Sequence, residues 1–354
     1  MQTANRSTVG ADRIAYWYGS RDWSISDHFA GPGALLEGAQ HATGGPNDPT
    51  VTAEAYNRAS TIIAQAIDAL SRNGSYTAET LSDPAARSFV RAITPYLDDF
   101  AKHPLSERSN SSDKWLIGRD PNVPQPPKSA EDALAKVFGG LMGREASASM
   151  IREATARVIT QEYERSLASG DPEALQQALD RIAGLSALVS GSGLGAPIAA
   201  AEQSAADAQA DRDAWAGLLG HIPVPGGAAA GIAASLLLDG ALGFADHLSA
   251  QDLEALLRSA EDNQNALANV FHTQMTASIL TAHDTPFTPP PSWDDALTQS
   301  GGDTNQAADT FGRAAGDWLY QYEVSIPANL RTAISGAANH YGSHLFGAYE
   351  WSRK

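Results

Sequence analysis

The stretch from Asp171 to Val189 reads DPEALQQALDRIAGLSALV, and the helical pattern that it shows recurs along most of the chain. Asp171 is a good N-cap residue, and proline is tolerated at the first helical position, so Pro172 marks the start of a helix. The alanine-rich sequence that follows favours a helix because alanine loses no side-chain entropy there. Comparable stretches over 129–142 and 144–169 precede it, which predicts a run of three long helices.

Further helices are predicted on both sides of this run. They are expected near 33–41, near 52–72, from Asp83 onwards, from Ser249 to about Met275, near 303–322 and near 325–350. Pro95 lies inside the apolar pattern of the helix that starts at Asp83, which predicts a kink or break near Thr94. The glycines between Gly191 and Gly195 are expected to break the helical run, with Pro197 starting a further helix.

No stretch indicates a convincing strand, so the sequence predicts an all-α fold. We expect a multi-helix bundle of long antiparallel helices with an irregular, aromatic N-terminal segment. Residues 1–102 are expected to form an aromatic and helical N-terminal subdomain, and the Pro-rich residues 103–128 a linker or long loop. Residues 129–354 then form a long-helix bundle around a central apolar hairpin. Pro286 to Pro291 form a second Pro-rich break.

The charge and the cysteine content exclude several classes of function. The chain carries 41 acidic and 24 basic side chains, a formal net charge of −17, and shows no basic stripe that could neutralise phosphate. We therefore expect no nucleic-acid partner, and anionic membrane surfaces would repel the chain overall. Because the chain has no cysteine, disulfides, thiol nucleophiles and thiolate metal sites are excluded. No nucleotide-binding or other cofactor motif is present, so no cofactor is expected.

Two histidines have a spacing that is compatible with a metal site. His340 and His344 lie four residues apart, which places both rings on one helical face. A catalytic zinc site also needs a third ligand and a base, and the H-E-x-x-H pattern is absent. Histidines among aromatic residues of a terminal helix more often serve in packing, so we expect no metal here.

The segment 214–245 is the one part of the sequence with a pattern relevant to membranes. It includes Trp215, then a Pro-Gly turn, then an apolar run that contains Leu236 and Leu237. That run of about 13 residues is shorter than the ~20 that a helix needs to span a bilayer. A buried central hairpin is the favoured interpretation, and insertion into a membrane is the alternative.

The N-terminal residues carry a family resemblance. Residues 16–18 (Tyr-Trp-Tyr), 21–24 (Arg-Asp-Trp-Ser) and 29–31 (Phe-Ala-Gly) precede an Ala-rich helix pair. This order resembles the helical region of large actinobacterial proteins with WXG-type N-terminal modules, which are associated with type VII secretion. The sequence departs from that family because its W-x-G letters overlap its Y-x-x-x-D letters at residues 17–22. The resemblance implies a secreted or cell-surface location as part of a longer protein, while a cytoplasmic location stays open.

Three functions follow as hypotheses. The first is a non-enzymatic helical domain of an exported or cell-surface actinobacterial protein, which acts in protein binding or secretion-related assembly. The second is a toxin-like effector that inserts the hairpin 214–245 into membranes. The third is a hydrolase that uses carboxylates with His283, His340 or His344, although the missing catalytic motif argues against an enzyme. The residues expected to contact a partner or a membrane are Trp17, Trp23, Phe29, Trp215, Leu236 and Leu237.

Overall fold

The structure is a computed structural model that describes a little over half of the chain. The described residues are 62–63, 66–67, 69–71, 78–97, 100, 130–169, 171–201, 268–269, 271–277, 279–280 and 285–352. They are 88% helical and contain no strand, which confirms the all-α helical bundle. The aromatic N-terminal segment, the linker 103–128 and the hairpin 214–245 lie outside the described residues, so the expectations about them stay predictions.

Seven helices have defined bounds within this part of the chain. They are α1 (Asp83–Ile93), α2 (Ala130–Met142), α3 (Glu145–Ser169), α4 (Pro172–Ala201), α5 (Trp293–Gln299), α6 (Thr304–Tyr322) and α7 (Ala328–Ser352). The described residues among 62–71 and 268–280 are helical too. Helices α2, α3, α4, α6 and α7 match the predicted long helices to within a few residues, except at the C-terminal end of α4.

Helix α1 ends where its sequence predicts. Pro84 occupies its first turn, where proline is tolerated. The α-helix ends at Ile93, and a 3-10 turn over Thr94–Tyr96 contains Pro95. A proline in this position removes one helical hydrogen bond and clashes with the preceding turn, so the predicted break near Thr94 is confirmed.

The prediction that the glycines after Val189 break the helix was wrong. Helix α4 runs without interruption through Gly191–Gly195 and Pro197 to Ala201. The residues from Gly191 to Gly193 are buried, and a buried main chain must have its hydrogen bonds satisfied. A glycine costs about 1 kcal/mol in a helix relative to alanine, which is less than a buried unsatisfied peptide group costs.

The described residues divide into two compact units. One holds the described residues up to Ala154 and those from Ala348 onwards, and the other holds those from Thr155 to Gly347. In the first unit, Phe100 and Phe138 meet edge to face with ring centroids 6.2 Å apart. In the second unit, the rings of the buried Phe271 and Tyr341 stack with centroids 4.8 Å apart.

Helices α5 and α6 form a tight hairpin within the second unit. The Ser292 hydroxyl accepts a hydrogen bond from the amide of Asp295 and caps α5. The Asp303 carboxylate accepts hydrogen bonds from the amides of residues 305 and 306, each at 3.0 Å, and caps α6. The turn between them needs left-handed backbone at Gly301 and Gly302, whose φ angles are 62° and 87°. Glycine adopts this conformation without a steric penalty.

Candidate protein-binding site

The segment 285–291, which we call the proline strap, is held extended by its own sequence. It contains Pro286, Pro289, Pro290 and Pro291, and each proline ring fixes φ near −65°. A residue that precedes proline is also confined to the extended region. These two constraints together cover every strap residue except Phe287, and the strap contains no helical residue. The predicted Pro-rich break is therefore confirmed, and the proline constraints favour a polyproline II backbone.

The strap lies on an aromatic surface at the end of α6. Trp318 donates its indole N–H to the main-chain oxygen of Thr288 at 2.9 Å. The amide of Thr288 donates to the hydroxyl of Tyr322 at 2.9 Å, and the Thr288 hydroxyl lies 3.0 Å from the same atom. These two bonds from Thr288 lower the pKa of Tyr322. One strap residue thus makes polar contacts with both aromatic side chains, which we call the aromatic cradle.

Phe287 completes this arrangement. Its ring meets the ring of Trp318 edge to face, with centroids 6.1 Å apart, and the ring of Tyr322 similarly at 6.3 Å. The two cradle rings are themselves 5.0 Å apart. Edge-to-face contacts of this kind add stabilisation beyond the burial of apolar area. The Trp318 side chain is consequently buried, although it lies near the end of a surface helix.

The outward face of the same region exposes two large apolar side chains. Tyr320 is 84% exposed, and Val324, in the 3-10 turn that follows α6, is 71% exposed. Among the described residues, no other large hydrophobic side chain is exposed to this degree. A Cβ atom built on Gly316 meets nothing within 4 Å, so the helix surface one turn before Tyr320 is open. We call Tyr320 and Val324 the exposed pair.

A histidine and a carboxylate meet close to this region. Nε2 of His272 lies 2.5 Å from Oε1 of Glu323, and both side chains are mostly buried. Burial lowers the pKa of His272, and the negative charge of Glu323 partly opposes that shift. The sequence did not single out either residue, because the two lie on separate elements and belong to no motif.

The predicted histidine pair is also brought together. The rings of His340 and His344 lie with centroids 5.9 Å apart, and Nδ1 of His340 lies 3.5 Å from a carboxylate oxygen of Asp180. Within the part of the chain that the structure describes, no group of three or more histidine, aspartate or glutamate side chains is arranged to hold a metal ion. The two histidine rings lie on one helical face, as their spacing predicts, and a carboxylate from α4 lies beside them.

The other predicted contact residues cannot be placed. Trp17, Trp23, Phe29, Trp215, Leu236 and Leu237 all lie outside the described residues, as does His283. In the described ranges, no helix has both the length and the apolar character that a membrane span requires. Sequence reasoning missed the exposed pair and the aromatic cradle. The aromatic density of residues 318–322 was the available signal, but a helical pattern alone does not reveal which aromatic faces solvent.

Comparisons with known proteins found no relative of this chain. No protein family, curated protein or solved structure matches the chain. The geometry of the described residues and the sequence therefore carry the functional argument alone.

Proposed function

We propose that the chain is a non-enzymatic helical domain that binds another protein in an assembly outside the cell or at the cell surface of an actinobacterium. The observation that carries the proposal is the exposed pair, Tyr320 and Val324, which lie about one turn apart. Tyrosine is enriched at interfaces because it buries a large apolar ring and retains a polar tip. The proposed type VII secretion context rests on the resemblance of the N-terminal residues.

The rigidity around the exposed pair supports a binding role. Helix α6 is capped by Asp303 at its start, and near its end the side chains of Ala315, Trp318 and Leu319 are buried. Side chains on a rigid element lose less conformational entropy on binding than side chains on a loop, so more of the contact energy becomes affinity.

Site-specific photo-crosslinking tests this proposal. A benzophenone side chain is introduced at residue 320 or, as a control, at residue 309, which is exposed on the same helix. Both variants are expressed in an actinobacterial host, and its envelope and culture fluid are irradiated. We expect one discrete protein adduct from residue 320, none from residue 309, and loss of the adduct when Val324→Asp is added. No adduct at residue 320, or equal adducts at both positions, would overturn the proposal.

The non-enzymatic part of the proposal has a separate test. A hydrolase would need a histidine beside a carboxylate, and His272 with Glu323 is the tightest such pair in the described ranges. We expect no saturable turnover of ester, amide, phosphate or glycoside substrates by the purified chain. Saturable turnover that disappears in His272→Gln would establish an enzyme instead.

A further inference from the structure

The contacts of the strap point to a second binding surface with a defined ligand class. We infer that the aromatic cradle of Trp318 and Tyr322 is a receptor for extended proline-rich peptides, and that the chain's own strap occupies it. This inference deepens the proposed function. It rests on that proposal only in requiring, as the proposal does, a protein partner. The residues involved differ from the exposed pair.

The chemistry of the contacts matches what a polyproline II helix offers to a partner. Such a helix has no internal hydrogen bonds, so its carbonyl groups are free to accept from outside. Domains that bind it present aromatic side chains to a proline-rich segment. Here the Trp318 indole donates to the Thr288 carbonyl at 2.9 Å, and the neighbouring Phe287 packs against both cradle rings.

Two of the three faces that a polyproline II helix would have differ in exposure. Phe287 and Pro290, three residues apart, are half-buried, whereas Pro286, Pro289 and Ser292 are exposed. On the third face Thr285 and Pro291 are half-buried and Thr288 is exposed. One face of the strap is thus turned toward the protein and another toward solvent. A cradle that selects one face at this period suits a peptide ligand of the pattern Phe-x-x-Pro.

The polar contacts between the strap and the cradle are few enough to exchange. Thr288 makes three polar contacts with the cradle, and a typical hydrogen bond adds only about 1 kcal/mol net. Segments held by so few contacts open locally far more easily than the core. The tether gives the strap an effective concentration in the millimolar range, so a free peptide competes poorly until the strap is weakened.

The test uses the full chain and the synthetic peptide Thr-Pro-Phe-Thr-Pro-Pro-Pro-Ser, which copies residues 285–292 with blocked ends. Phe287→Ala removes the ring by which the strap packs on the cradle. Isothermal calorimetry is expected to show saturable binding of the peptide to this variant, at least about tenfold tighter than to the wild type. A peptide with alanine in place of its phenylalanine should bind at least about tenfold more weakly.

A matched pair of variants locates the site. In the Phe287→Ala background, Tyr322→Phe removes the hydroxyl that Thr288 contacts and should weaken peptide binding about tenfold. Gln321→Ala changes the exposed neighbouring residue and should leave binding unchanged. No saturable binding, or equal effects of the two changes, would overturn the inference. If Phe287→Ala fails to fold, Thr288→Pro releases the strap by removing its amide and hydroxyl contacts, and the same outcomes apply.

The two proposals fail separately. If the peptide binds but residue 320 gives no crosslinked adduct, the receptor for proline-rich peptides is retained and the exposed pair is rejected as an interface. A crosslinked adduct at residue 320 without any peptide binding would do the reverse.

Discussion

Arg181 places its Nη1 atom 3.1 Å from Oε2 of Glu162 and so joins α4 to α3 by an ion pair. The Glu162 side chain is only 5% exposed, and its other oxygen contacts Arg165, three residues later on α3. A buried carboxylate is tolerated only when its charge is compensated. The two arginines supply that compensation at the start of the second unit.

Replacing Glu162 with alanine should therefore destabilise the protein. The change leaves the partly buried Arg181 without this carboxylate, and we expect a loss of about 2 kcal/mol, below the usual cost for a fully buried pair. Urea unfolding followed by circular dichroism measures it. Gln161→Ala, at an exposed neighbouring position, should change the stability by less than about 0.5 kcal/mol. Equal effects of the two substitutions would show that the ion pair is dispensable.

Two helical glycines should respond to alanine in opposite directions. A Cβ atom on Gly140 would lie 2.7 Å from the main-chain nitrogen of Glu79 and 2.8 Å from the Cβ atom of Ala78. Gly140→Ala forces these groups apart, so we expect a loss of about 2 kcal/mol despite the better helix propensity of alanine. Gly316→Ala meets open space and should stabilise α6 by up to about 1 kcal/mol. A stabilising Gly140→Ala would contradict the close approach of α2 to the 3-10 turn at Ala78–Thr80.

The sequence predicts where α4 begins but not how far it extends. Asp171 and Pro172 are local signals, and α4 begins at Pro172 as predicted. The glycines from Gly191 to Gly195 are also a local signal, but the burial of residues 191–193 overrides it, and a sequence alone does not reveal burial. Secondary-structure boundaries are therefore predictable where residue and backbone preferences act without tertiary contacts.

The contacts of the candidate site were harder to predict from the sequence than the helix boundaries. Four prolines predict that residues 286–291 are not helical, because proline acts on its immediate neighbours. That Thr288 bonds to Trp318, 30 residues later, depends on the folding of the α5–α6 hairpin between them. No spacing rule connects two such residues, so the break was predictable and its docking was not.

The stability of the protein should depend on pH through His272. Burial lowers the pKa of this side chain in the folded state, so the unfolded chain binds the proton more readily. The free energy of unfolding is therefore highest above about pH 6.5, the pKa of a histidine in the unfolded chain. It falls as the pH drops below that value, by at most ~1.4 kcal/mol per pH unit. His272→Gln should flatten the change in unfolding free energy between pH 7.5 and 5.5.

An internal control for that experiment is the range above pH 7.5. There His272 is neutral in both states, so the wild type and His272→Gln should show the same dependence of stability on pH. A wild type that gains stability on acidification from pH 7.5 to 5.5, relative to the variant, would show that the attraction to Glu323 outweighs the cost of burial.

The ring of Tyr341 should matter to stability more than its hydroxyl. The ring is buried and stacks on Phe271 with an interplanar angle of 25°, and burial also raises the pKa of the hydroxyl. Tyr341→Ala removes the ring and should cost about 4 kcal/mol, whereas Tyr341→Phe keeps the stack and should stay within about 1 kcal/mol of the wild type.

Tyr320→Ala is the matched control for Tyr341→Ala, because it deletes the same side chain from a position that is 84% exposed. It should change the free energy of unfolding by less than about 0.5 kcal/mol. If Tyr341→Phe proved as damaging as Tyr341→Ala, the hydroxyl and its neighbour Ser190 would hold α7 to α4 more firmly than the ring does. If Tyr320→Ala were as damaging, its ring would be covered in solution, and the exposed pair could not serve as a free binding surface.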